Sequence, residues 1–369
     1  MPRLFFAFAL VLSASACTGA DPRLLCQGSG GPCAAVGTTS DDGTTGSLAT
    51  VDLHATTTKL DVASLDPDTR MHVHGGELYV LAGNTGTLRI YDPSTMSVKV
   101  ELPLGDSTHP ATTALARDFW VDDEHGKIWV SLSGNDANAS LAIVDRNQPG
   151  MVLYLGLPQD PADSDGKPEP DRLYSCNSKL YVTLKSSSTD VTGALRYGQA
   201  RIAIIDPDTR TAGGIIFLSG QNISDLTRVG DDCNDVVVAE AGSPTTALDG
   251  SGTVERLDLS RGFSKGVLAT DTVLGGRPTL VATHGSHDLY IAVDDRIAHL
   301  NLKTASLVAD VAAGLGPMTF FRTYGDRLLV GARAGATQPR GLYSAPTDGS
   351  MLTTPSIDVG MTPTSITLP

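Results

Sequence analysis

The residues of this chain best suited to chemistry are a histidine pair, an aspartate-rich loop and a few scattered arginines. His72 and His74 stand two apart, so on a strand both imidazoles project from one side. Two neutral imidazoles can begin a metal site, to be completed by His109, His284, His287 or His299 from elsewhere in the chain. However, His74, His125, His284 and His287 each lie in or beside a short turn rich in Gly, Asp or Ser. They read as turn residues, and no metal site is expected. The segment Asp160 to Gly166 carries Asp163 and Asp165 at alternate positions before a glycine, the spacing of oxygen ligands in a calcium loop. Such a loop would need an acid where Pro161 stands and a closing glutamate where Arg172 stands. It reads as a solvated acidic loop; calcium is the nearest the sequence comes to a cofactor, and none is expected. The chain has no Gly-x-Ser-x-Gly elbow, no Cys/His nucleophile pair outside the candidate disulfides, no phosphate-cradling P-loop and no dinucleotide fingerprint. Any catalytic site would have to be assembled from separate strands, with Arg70, His72, Arg117 and Arg322 as candidates.

Placing such residues is the work of the fold, and the composition narrows it. The 369 residues carry a net charge of −14, with 41% hydrophobic and only 5% aromatic residues. That is enough apolar material for a sizeable core. The negative field repels phosphate backbones and no Lys/Arg cluster offsets it, so nucleic acid is not an expected partner. The first residues run from Arg3 through an apolar stretch, Leu4 to Leu12, to small residues before Cys17, the order of an export signal. That stretch is too short to span a bilayer. Its end resembles a bacterial lipobox, in which Cys17 becomes the lipid-modified first residue. Ala14 stands where the usual leucine would, and Ala14 to Ala16 also suits ordinary signal peptidase. The chain has five cysteines. Lipidation of Cys17 leaves Cys26, Cys33, Cys176 and Cys233 to pair in an oxidising compartment. The expected organisation is a signal peptide over 1–16, an anchored linker over 17–32 and one folded unit over 33–369.

A repeat fills that unit. An apolar strand ending in a turn-forming residue recurs seven times: Leu48 to Asp52, Leu88 to Asp92, Leu141 to Asp145, Ile202 to Asp206, Val254 to Asp258, Ile297 to Asn301 and the degenerate Leu342 to Pro346. Each copy follows a second apolar run: Cys33 to Val36, Leu78 to Val80, Ile128 to Val130, Leu180 to Val182, Val236 to Val238, Leu289 to Ile291 and Leu328 to Val330. The spacing of roughly 40 to 60 residues is that of propeller blades. Turns such as Asp92-Pro93-Ser94 follow the third strands, and several fourth strands leave through Gly-x-x-Pro, as at Gly275 to Pro278.

The Leu-Tyr-Val run, the apolar strand ending in Asp and the Gly-x-x-Pro exit resemble the YVTN-type β-propeller repeat of bacterial and archaeal surface proteins, over about Cys33 to Pro369. The resemblance implies an all-β, seven-bladed propeller with four antiparallel strands per blade. Counting strands predicts its closure. The final strand, Thr364 to Leu368, has no partners after it, and the first three strands have no inner strand before them, so one plus three completes the last blade and removes free edges.

The long segments are Lys185 to Ala200, Ala241 to Thr253, Ala334 to Arg340 and Pro158 to Pro170. All connect second to third strands or one blade to the next, so they emerge on one face. Insertions on a rigid scaffold gather where function does. Asp163, Asp165, Arg196, Tyr197 and Arg340 are therefore the candidate binding residues. Cys176 and Cys233 fall on the opposite face in neighbouring blades, close enough for a disulfide, which leaves Cys26 for Cys33. The expected function is that of a monomeric, non-catalytic binding or scaffold propeller, bound to the membrane only through its lipid anchor in the cell envelope, with the outer membrane as its expected location and an envelope protein or another extracytoplasmic ligand on the loop face. The alternative is a lactonase-like hydrolase or lyase acting in the central funnel.

Overall fold

A triplet such as Leu78–Val80 is apolar at every position, so it must be covered on both faces. In the computed structural model these runs are the second strands of seven radial sheets, each sandwiched between its neighbours. The structure describes residues 33–105, 115–134, 139–148, 150–160, 166–190, 192–243, 247–347 and 356–368. Leu78, Tyr79, Val80 and Leu81 are all buried. Seven hydrophobic clusters result, one at each blade interface, such as Tyr79, Phe119, Ile128 and Val130 between blades 1 and 2. No single central core is needed.

Blades 1 to 6 begin with inner strands Thr69–His74, Leu115–Asp122, Pro170–Cys176, Ile223–Val229, Pro278–His284 and Met318–Tyr324. Each is followed outward by antiparallel partners. The seventh blade is ordered Thr362–Thr367, Cys33–Thr39, Gly46–Asp52, Thr57–Leu65, which is the one-plus-three closure. Six sheets have four strands. Among the described residues blade 6 has three, and an antiparallel bridge from Leu342 to Ile357 marks the place of its outer strand.

The recurring terminal Asp has a local cause. Its Oδ1 accepts backbone N–H groups two and three residues ahead: Asp52 from His54 and Ala55, Asp92 from Ser94 and Thr95, Asp206 from Asp208 and Thr209, and Asn301 from Lys303 and Thr304. An Asx turn thus closes these four outer hairpins. The triplet tyrosine serves the ring, since Tyr181 Oη donates to Leu259 O and Tyr290 Oη to Thr347 O, in both cases in the following blade. One element departs from the expected all-β chain. Asp271–Leu274 forms a single helical turn, with Thr270 Oγ1 accepting from Val273 N and Gly275 at φ 67° ending it.

Candidate functional site

The axis of the ring holds a cavity of about 430 Å³ lined from six of the seven blades. In each inner strand one apolar residue pairs with the end of the second-strand triplet: Met71 with Val80, Phe119 with Val130, Leu173 with Val182, Leu226 with Val238, Val281 with Ile291 and Phe321 with Val330. The residue just before it is Arg70, Asp118, Arg172, Asp225, Leu280 and Phe320 in turn, with Ser365 in the closing blade. Blades 1 to 4 therefore present alternating charge, plus, minus, plus, minus, and blades 6 and 7 present an apolar group and a hydroxyl, while Leu280 of blade 5 does not line the cavity. In blades 2 to 6 a register shift falls at this point, as between Pro170 and Leu173. A bulge adds a residue to one strand and re-aims its side chains.

The two acids also join blades. Asp118 Oδ2 accepts from Leu173 N at 3.0 Å and Asp225 Oδ2 from Val281 N at 3.2 Å, each in the next blade. Thr367 Oγ1 does the same for Val73 N at 2.9 Å across the closure. His72 Nε2 lies 3.6 Å from Asp118 Oδ1, and Arg322 Nη1 lies 3.5 Å from Asp225 Oδ2. Burial opposes ionisation of Asp118, but the hydrogen bond and charge of His72, the Arg172 guanidinium and Leu173 N–H outweigh it and hold the carboxyl below its ordinary range. Burial, followed by the like charge of Arg172, pushes Arg70 down to about 10. Arg172 is buried too, but Asp171, Asp225 and Asp118 together raise it. Its Nε is buried without a hydrogen-bond partner among the described residues.

Of the four funnel candidates, Arg70, His72 and Arg322 line the cavity. Arg117 does not: it points away from the lining and sits 3.8 Å from Asp68. Sequence reasoning missed Asp118, Arg172 and Asp225. The position preceding the inner-strand apolar residue, compared across the copies, would have found them. The lining takes Arg70 to Val73, Arg172 to Tyr174, Asp225 to Arg228 and Ser365 to Leu368, mostly from the middle of their strands.

On the loop face the sequence candidates are engaged with the chain itself. Part of the longest segment folds as a hairpin, Ser187–Thr189 with Leu195–Tyr197. Within it Arg196 Nε donates to Asp190 Oδ2 at 2.9 Å, and Tyr197 is half-buried. Arg340 Nη1 donates to both carboxylate oxygens of Asp41, at 2.6 and 2.7 Å. Asp163 and Asp165, with the calcium-like loop, lie outside the described residues, as do Cys17, Cys26 and His109. The other histidines are dispersed: His74 pairs with Asp123 at 2.5 Å, His125 with Asp122 and Asp208 at 2.8 Å each, and His299 with Asp288 at 2.9 Å. Cys176 and Cys233 form a disulfide joining blades 3 and 4, with Cα atoms 5.6 Å apart. Cys33 is also disulfide-bonded, to a partner outside the described residues. Among the described residues no helix is long and apolar enough to cross a membrane.

No protein-family profile and no curated protein sequence matches the chain. Solved structures do. Hydrazine synthase of Kuenenia stuttgartiensis is similar at TM-score 0.60 and 17% identity, over 85% of this chain and 95% of that one. The dihydro-heme d1 dehydrogenase NirN, in complex with DHE, is similar at TM-score 0.55 and 13% identity, over 87% of this chain and 62% of that one. At such identities the likeness shows the fold alone, and with the ring of sheets it establishes the chain as a seven-bladed β-propeller.

Proposed function

We propose that this chain is an exported, non-catalytic binding propeller whose ligand occupies the axial cavity. One observation carries the reading: polar side chains far apart in sequence, from Arg70 to Thr367, converge on a single cavity of about 430 Å³. A pocket of that size with a few convergent polar groups among apolar walls suits a small molecule. Export fits the N-terminal signal pattern and a disulfide, which persists in oxidising compartments. In this reading Cys17 carries the lipid and residues 17–32 tether the ring to the cell envelope.

The test equilibrates the purified chain with a small-molecule extract, washes it, and identifies what denaturation releases by mass spectrometry. The wild type should release a bound compound that a cavity-filling Thr227→Trp variant does not. Equal recovery from both would defeat the reading. A second reading, a hydrolase or lyase in the same cavity, is favoured by the contact of His72 with Asp118 beside Arg172, where an imidazole could take a proton next to a bound anion. It requires turnover of the released compound that His72→Gln abolishes without loss of binding.

A further inference from the structure

We infer that the group recognised in the axial cavity is an oxyanion, a carboxylate or a phosphate, held by Arg70, Arg172 and Arg322. The inference rests on the axial-cavity reading and adds the chemistry of the ligand. It starts from an inequality among the charged residues. Asp118 and Asp225 have structural employment, because each accepts a backbone N–H from the neighbouring blade that would otherwise be buried without a partner. The arginines have no comparable duty. Among the described residues neither Arg70 nor Arg172 closes an ion pair through its side chain, and Nε of Arg172 is buried and unpartnered. Arg322 reaches Asp225 only at 3.5 Å, near the limit of a hydrogen bond, and its firmer contact is with its own Phe321 O at 2.7 Å.

The charge count points the same way. Inside the cavity three guanidinium groups face two carboxylates, and Arg228 lines it as an exposed fourth cation. Asp171 and Asp68, the next nearest acids, are engaged with Lys185 and Arg117 at 3.1 and 3.8 Å. In a protein of net charge −14 this is a local positive excess, with Arg70 and Arg172 its more buried members. Buried charge is costly unless paired, so an unspent guanidinium set is a standing demand for an anion. Its planar fork of N–H donors matches the two oxygens of a carboxylate or phosphate. The remaining walls, Met71, Leu173, Leu226, Phe320 and Ile366, are apolar. They suit an organic body behind the charged group.

Matched probes test this by isothermal titration of the full chain. Benzoate and phenyl phosphate carry the charge on an aromatic body, inorganic phosphate carries it without one, and benzamide has the shape of benzoate without the charge. The expected result is binding of benzoate or phenyl phosphate with benzamide at least about tenfold weaker, the loss of roughly one charge-assisted contact. The two aromatic anions distinguish a carboxylate from a phosphate ligand, and tighter binding of phenyl phosphate than of inorganic phosphate supports the organic body. Arg172→Gln should weaken the anions about tenfold and leave benzamide unchanged. Arg322→Gln, at a half-exposed side chain, gives the same comparison should Arg172→Gln not fold. Equal affinity for benzoate and benzamide, unchanged anion affinity in a folded arginine variant, or no heat from any of the three anions at millimolar concentration would overturn the inference. If a neutral probe binds and Thr227→Trp abolishes it, the axial-cavity reading stands without the oxyanion; if binding survives Thr227→Trp, that reading falls as well.

Discussion

The loop face and the axial cavity are built from the same residue types and differ in how fully their polar groups are spent. On the loop face Arg340 holds Asp41 through two oxygens, and Arg196 closes its own hairpin on Asp190. In the cavity the corresponding separations open to 3.5 and 3.6 Å, and one guanidinium nitrogen has no hydrogen-bond partner among the described residues. If the axial cavity is the site, loop length marks where the scaffold tolerates insertion. In the proposed reading, unspent hydrogen-bonding capacity where side chains from six blades converge marks where a ligand can repay it.

The strongest way to break this comparison is to open the ring that creates the cavity. Removing the last nine residues deletes strand Thr362–Thr367, its pairing with Cys33–Thr39 and the Thr367 bond to Val73 N. The truncated chain should lose its cooperative unfolding transition by calorimetry. A transition at the wild-type midpoint would mean that the closure contributes nothing.

The next effect belongs to the root of the loop face and depends on pH. Glu240 is fully buried where its strand leaves for the segment 241–253, hydrogen-bonded by Gly220 N at 3.1 Å, by Thr253 Oγ1, and to Glu255. Burial raises its pKa to about 8, with the Thr253 bond opposing and the Glu255 charge assisting. The fold thus keeps this proton up to about 8, whereas the ordinary value is 4.5. Stability should fall as pH rises through that window, by on the order of a few kcal/mol. Denaturant titrations from pH 5 to pH 9 should show the decline in the wild type and a flatter profile in Glu240→Gln; parallel profiles would refute the assignment.

A direct contrast of the two regions is smaller. Asp225→Ala leaves the buried Val281 N without its acceptor, and should cost about 1–3 kcal/mol in denaturant unfolding. Arg340→Ala on the loop face should leave the unfolding midpoint unchanged within the scatter of surface substitutions. The reverse order would invert the comparison. The smallest effect is expected from exchanging the hairpin between Ser187 and Tyr197 for a short turn, with Ser186 kept because it accepts from Arg201. Ligand affinity should not change. Loss of binding in that variant would return the site to the loop face.

Much of the fold was legible because its determinants are local. The second-strand triplets are apolar throughout, since two neighbouring blades cover them, and the terminal Asp or Asn of third strands, as at Asp92, Asp206 and Asn301, is fixed by its own turn. The closure followed from strand count, and the disulfide of Cys176 with Cys233 from alignment of the copies. The site was harder. Inner strands share no motif, because each faces a different part of the axis, and the bulges of blades 2 to 6 break the simple alternation from which orientation is read. Arg70, His72 and Arg322 were within reach as polar residues on apolar strands. Arg172 was passed over, having been weighed as the wrong closing residue of a calcium loop, and Asp118 and Asp225 gave no signal outside the bulged register. Loop length then drew attention to Arg196 and Arg340, whose partners Asp190 and Asp41 no spacing rule connects to them.

The most direct measurement is a crystal structure of the chain grown with phenyl phosphate. The account predicts ligand density on the axis, with its oxygens within hydrogen-bond distance of Arg172 and of Arg70 or Arg322. An empty axis with density among the long loops would contradict it.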